Sequence, residues 1–178
     1  MSLLPTLPAT AGQTVGPFFG YALPFPHDNE LVPPGTPGAV RLHGRVLDGA
    51  GDPVPDAILE LWQPDAEGHV VQEAGSLRRD GYTFTGWGRA STDREGRYGF
   101  STLVPGAPFF ALTVLARGLL NRLFTRAYLP EAGDDPFLQA LDADRRSTLI
   151  ATRDETGFVF DVHLQGDRET VFLTYPRH

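Results

Sequence analysis

The chain has 178 residues and a formal charge of -7, and all 15 of its basic residues are arginine, which leaves no lysine-rich stripe for a phosphate backbone and argues against nucleic acid as a partner. It has no cysteine, which rules out disulfides, zinc–thiolate sites and cysteine nucleophiles and fits a reducing, cytoplasmic setting. One domain of this length buries roughly 70% of its unfolded surface, and 20 glycines with 16 prolines predict many turn-bounded strands, hence an all-β fold.

Residues 1–38 contain eight prolines and read as an extended N-terminal arm ahead of a β-sandwich over 39–178. Phe18, Phe19, Tyr21 and Phe25 carry too much aromatic surface to be left in water, so the arm is expected to pack against the body of the protein or a partner. No charged segment leads into a long apolar run, and the apolar stretch 107–116 is broken by Pro108 and Thr113, so neither a signal peptide nor a membrane span is expected.

Val40, Leu42, Gly44 and Val46 alternate with Arg41, His43 and Arg45, a turn region rich in Gly and Pro follows, and Ala57, Leu59 and Leu61 resume the alternation. This pattern predicts a hairpin over Arg41–Trp62, and Trp62 is expected in the core rather than as a cofactor platform because tryptophan is usually covered. Residues 63–68 read as a turn and 72–82 as a polar loop. Asp93-Arg94-Glu95-Gly96 reads as a tight turn pairing 89–92 with 97–102. Strands are expected over 109–117 and 123–129, one short helix over Asp135–Ala143, an alternating stretch at 158–163, and a last strand over 170–175.

The five histidines, His27, His43, His69, His163 and His178, are scattered. None lies at a strand or helix spacing from a second metal ligand, and each reads best as a locally hydrogen-bonded imidazole. Asp134 and Asp135 suit a helix N-terminus better than acid–base chemistry. Arg126 falls on the same strand face as Phe124 and Tyr128, where it serves either a pocket or a surface ion pair, the latter worth about 0–1 kcal/mol.

The string from Leu42 to Gly68, L-x-G-x-V-x-D-x-x-G-x-P-x-x-x-A-x-L-E-x-W-Q-x-D-x-x-G, resembles the intradiol ring-cleavage dioxygenases, which open catechols with a non-haem ferric ion. A related hairpin occurs in transthyretin-like domains, so the resemblance implies a prealbumin-like two-sheet sandwich first and an activity second. The family binds iron through two tyrosinates and an H-x-H pair. This sequence has no histidine between His69 and His163, and the family's ligand positions align with Ser76, Ala107, Ala111 and Thr113.

Thr14-Val15-Gly16-Pro17-Phe18, Leu123-Phe124-Thr125-Arg126-Ala127-Tyr128, 145–151, 160–166 and 169–173 resemble the metal-free α subunits of two-chain members that act on protocatechuate. The resemblance implies no catalytic residue or metal ligand in this chain. It implies a homologous β subunit holding Fe(III), and Thr14, Gly16, Pro17 and Arg126 lining the side of the pocket that receives a small aromatic substrate. A guanidinium at Arg126 suits a substrate carboxylate. A free-standing sandwich acting as a binding module is the alternative. A dioxygenase with unusual metal ligands is disfavoured by the missing histidines.

Overall fold

In a computed structural model, which describes residues 19–71 and 79–175, one helical turn, Phe19–Ala22 (α1), precedes the strand Ala39–Leu47 (β1). Ile58–Trp62 (β2), Trp87–Ser91 (β3), Arg97–Leu103 (β4), Phe109–Leu115 (β5) and Leu123–Tyr128 (β6) follow. Two helical turns, Pro136–Gln139 (α2) and Ala143–Ser147 (α3), lead to the short strands Thr152–Arg153 (β7), Gly157–Val159 (β8) and Val162–His163 (β9). The strands form where side chains alternate: Leu42, Gly44 and Val46 of β1 are buried while Arg41 and Arg45 face solvent.

Among the described residues, one sheet runs β4-β1-β8-β7 with β9 also on β1, and the other runs β3-β2-β5-β6. Both β8 and β9 lie parallel to β1, whereas the second sheet is antiparallel throughout. Leu42, Phe100 and Phe158 of the first sheet share one core with Leu59, Leu61, Phe110 and Leu112 of the second. Phe110 and Phe158 meet edge to face across it at 5.5 Å. The expected all-β two-sheet sandwich is therefore the observed fold. Residues 28–31 tie one side of it: Arg89 N of β3 donates to Asp28 O (2.7 Å) and Leu31 N donates to Ser101 O of β4 (2.8 Å).

Several expected local pairings are replaced by crossings between the sheets. No hairpin joins β1 to β2, because β1 pairs with β4 and β8 and β2 pairs with β3 and β5. Val54 N still reaches back to Val46 O at 2.9 Å, but Pro53 and Pro55 have no N–H to continue a ladder, and the chain crosses to the other sheet. The 93–96 turn forms, with Asp93 Oδ1 accepting from Glu95 N (2.9 Å) and Arg97 N (2.8 Å) and Gly96 at φ 70°. It likewise joins strands of opposite sheets rather than a hairpin.

The helix expected over 135–143 divides into α2, which Asp135 caps by accepting from Phe137 N and Leu138 N, and α3, which begins after Asp142. Burial of Leu138 beside Phe137 and Leu141 uses up the apolar stripe within that first stretch. The strand expected over 170–175 is one bridge, Leu173 to Phe124. Its neighbour Thr170 is bonded to His163 in the other sheet through its N–H (3.0 Å) and Oγ1 (2.9 Å), so the segment steps between sheets instead of running along one.

Candidate functional site

The outward face of the second sheet is laid out by register. Trp87, Trp62, Ala111 and Arg126 stand side by side across β3, β2, β5 and β6, and the next row is Arg89, Glu60, Thr113 and Phe124. The β3 half of this face is closed. Phe25 stacks on Trp87 at 6.3 Å. Arg79 lies over both rings and donates to Asp28 O, Trp87 O and Thr85 Oγ1. Arg89 pairs with Glu60 at 2.6 Å. Trp87 is consequently 5% exposed.

The β5–β6 half is open. Trp62, expected in the core, is 52% exposed, because Leu59 and Leu61 take the inward row of β2 and leave Trp62 on the outward one. It forms one wall of a cleft of about 260 Å³, with Ala111 and Thr113 as floor and Phe109, Phe124, Arg126 and Tyr175 around it. Ala111 and Thr113, two apart on a central strand, thus share one face and both line this cleft.

Arg126 holds the charge of this cleft. Its guanidinium lies 4.2 Å from the Phe109 ring centre and 5.7 Å from that of Phe137, and Nη1 donates to the Tyr128 hydroxyl at 2.9 Å. That hydroxyl donates onward to Asp135 Oδ1 at 3.1 Å. Burial pushes the Tyr128 phenol above its ordinary range, and Asp135 adds to the effect while Arg126 opposes it; the hydroxyl therefore stays protonated and able to donate.

Of the residues singled out from sequence, Arg126 is in this cleft. Thr14, Gly16 and Pro17, and Ser76 among the ligand positions, lie outside the described residues. Trp62 and the Tyr128–Asp135 pair were not singled out for the site. The period of β2 already put Trp62 outward, whereas no sequence signal links Tyr128 to a helix cap seven residues on. The described histidines sit elsewhere with local partners: His43 with Asp154 (2.8 Å), His27 with Glu30 (3.0 Å) and His69 with Asp65 (3.3 Å). Burial pushes His163 down, and Arg168 acts in the same direction.

Iron belongs to the chemistry of intradiol enzymes, and the residues here do not fit it. A methyl at Ala111 donates nothing, the Thr113 hydroxyl is a neutral, hard-to-deprotonate ligand, and the fixed cation of Arg126 repels a ferric ion from the same cleft. Among the described residues no group of three or more His, Cys, Asp or Glu could hold a metal. What the cleft suits is an anion carried on a flat apolar ring: aromatic walls and one guanidinium whose hydrogen bonds, among the described residues, engage Nη1 alone.

The family described as "Dioxygenase" matches residues 15–131. The chain is 37% identical to the protocatechuate 3,4-dioxygenase alpha chain of Burkholderia cepacia, over 94% of this chain and 98% of that one. It is 33% identical to the beta chain from the same organism, over 80% of this chain and 73% of that one. Among solved structures it resembles the dioxygenase domain of a dioxygenase–carbohydrate-binding protein fusion from Streptomyces sp. SirexAA-E, at 25% identity and a TM-score of 0.55, covering 88% of this chain and 98% of that one. The two-sheet sandwich, the family match over most of the chain and the near full-length similarity to an alpha chain together make this chain a member of the intradiol ring-cleavage dioxygenase family.

Proposed function

We propose that this chain is the noncatalytic, alpha-type chain of a protocatechuate 3,4-dioxygenase, with residues 1–38 as an arm and 39–178 as the sandwich. In this reading a homologous beta-type chain holds the ferric ion, and the complex uses O₂ to open protocatechuate to 3-carboxy-cis,cis-muconate. This chain completes the substrate pocket with Arg126 and, from the arm, Thr14, Gly16 and Pro17. The observation that carries the reading is the floor of the cleft: the central strand presents Ala111 and Thr113, which offer no imidazole to a ferric ion, next to a guanidinium that favours an anion, and these are the positions at which the resemblance implies the family's two histidines. Similarity reaching 98% of the alpha chain against 73% of the beta chain supports the same assignment.

This chain's part is then electrostatic and steric. An acidic protein of charge -7 gains nothing from its overall field in attracting a carboxylate, so a local arginine, part-buried and desolvated against Phe109, anchors and orients it. Cytoplasmic placement belongs to the proposal; among the described residues no helix is long and apolar enough to cross a membrane. The test is to purify the chain alone and with its coexpressed homologous partner, then measure iron and ring cleavage. The chain alone is expected to be iron-free and inactive, and the pair to carry iron and turn over protocatechuate. A coloured, iron-loaded and active single chain overturns the proposal.

A further inference from the structure

We propose that Tyr128 and Asp135 are positioning residues that hold the Arg126 guanidinium in its carboxylate-binding orientation. The inference rests on the anchoring role of Arg126 proposed above. An arginine on the open face of a strand has several rotatable bonds and, left free, would lose up to about 2 kcal/mol of rotamer entropy on binding a ligand. Here that freedom is already restricted. The guanidinium lies over Phe109 and donates from Nη1 to the Tyr128 hydroxyl, and the Tyr128 ring, fully buried, is packed edge to face against the same Phe109 at 5.2 Å.

The far end of the relay is equally fixed. Asp135 Oδ1 accepts from Tyr128 Oη at 3.1 Å and from the backbone N–H of Phe137 (2.9 Å) and Leu138 (3.2 Å), which it caps at the start of α2. Leu138 beneath that cap is fully buried. The hydroxyl between the two charged groups has a specific consequence. A direct Arg–Asp fork would occupy two guanidinium N–H groups and neutralise the charge on the spot. The tyrosine takes up Nη1 alone, and Arg126 makes no other hydrogen bond among the described residues, so a second edge is left for a bidentate carboxylate. The carboxylate at the end of the chain polarises the hydroxyl and strengthens its hold on Nη1.

The experiment uses the assembled complex and three variants, Arg126→Ala, Tyr128→Phe and Asp135→Asn, with kcat and KM for protocatechuate and for catechol, which lacks the carboxylate, and the Kd of 4-hydroxybenzoate as a binding readout. Iron content and Tm are recorded for each complex. Tyr128→Phe keeps the buried ring, and Asp135→Asn keeps an acceptor for the cap. Tyr128→Phe is expected to raise KM for protocatechuate and the Kd of 4-hydroxybenzoate about three- to tenfold, the scale of one hydrogen bond, with kcat and the catechol KM unchanged. Asp135→Asn is expected to act in the same direction and more weakly. If Arg126→Ala selectively weakens the two carboxylate-bearing compounds while Tyr128→Phe and Asp135→Asn do not, the positioning role is overturned and the anchor stands. If Arg126→Ala weakens catechol equally, the anchor fails and the relay with it.

Discussion

Asp154 accepts from Thr156 N (2.8 Å), Thr156 Oγ1 (2.9 Å) and Gly157 N (2.9 Å), and its other oxygen meets His43 Nε2 at 2.8 Å. These donors, the Thr156 backbone first, hold its carboxyl at about 2, below the ordinary 3.8. As pH falls below about 4 the unfolded chain takes up the proton first while the folded carboxylate resists down to about 2, so the stability it supplies is complete above that window and lost within it. Asp154→Asn is therefore expected to flatten the fall in urea midpoint between pH 4 and 2 while changing little of its slope near neutrality. An acid limb identical to that of the parent chain would refute the link. Single residues also set how much of the site was legible. Arg126 was readable because strand period puts it beside Phe124 and Tyr128 on one face. Trp62 misleads because tryptophan is usually covered, although the period of its own strand points outward. Its neighbour Trp87 is buried on that same face, and what covers it, Phe25 and Arg79, comes from distant segments.

Among the elements, β1 shows best what alternation records and what it omits. The period of two assigned each side chain to a face correctly, but a strand carries the same pattern whether its successor pairs beside it or crosses to the opposite sheet. Both the 48–57 and the 93–96 connections thus carry the sequence pattern of hairpins and are crossings. What places β1 at the centre of its sheet is a close approach. A methyl added at Gly44 would stand 2.0 Å from the Phe160 carbonyl oxygen and 2.6 Å from its carbon. That oxygen accepts from Tyr98 Oη at 2.6 Å, and Phe160 N donates to His43 O at 2.8 Å. Gly44→Ala must push the β8–β9 segment off β1 and break these bonds, at an expected cost of about 1–3 kcal/mol or more. Gly133→Ala is the control, since nothing lies within 4 Å of its added carbon and a shift within about 0.5 kcal/mol is expected. Denaturant unfolding compares the two, and equal costs would mean that the approach at Gly44 is not a constraint on the fold.

On the scale of the whole molecule, the cleft face leaves Trp62 at 52% and Tyr175 at 43% exposure beside Phe124 and Arg126, an aromatic patch that a partner chain would cover in the proposed assembly. Stable complexes bury roughly 1,200–2,000 Å², and aromatic residues with arginine are the usual centres of such contacts. Without that partner the patch is expected to drive self-association at high concentration. Trp62→Ser separates this from a folding role. A buried tryptophan cut back to a small residue costs about 3–5 kcal/mol, whereas one with half its surface in water should cost no more than about 1–2 kcal/mol by the same area scaling. The variant chain is expected to sediment as a monomer with a Tm close to that of the parent, and to pair less well with the homologous chain. An unfolding cost in the full buried range would place Trp62 in the stability of the sandwich instead. An isolated parent chain that stays monomeric with or without residues 1–25, and pairs with no homologous chain, would identify a free-standing binding module.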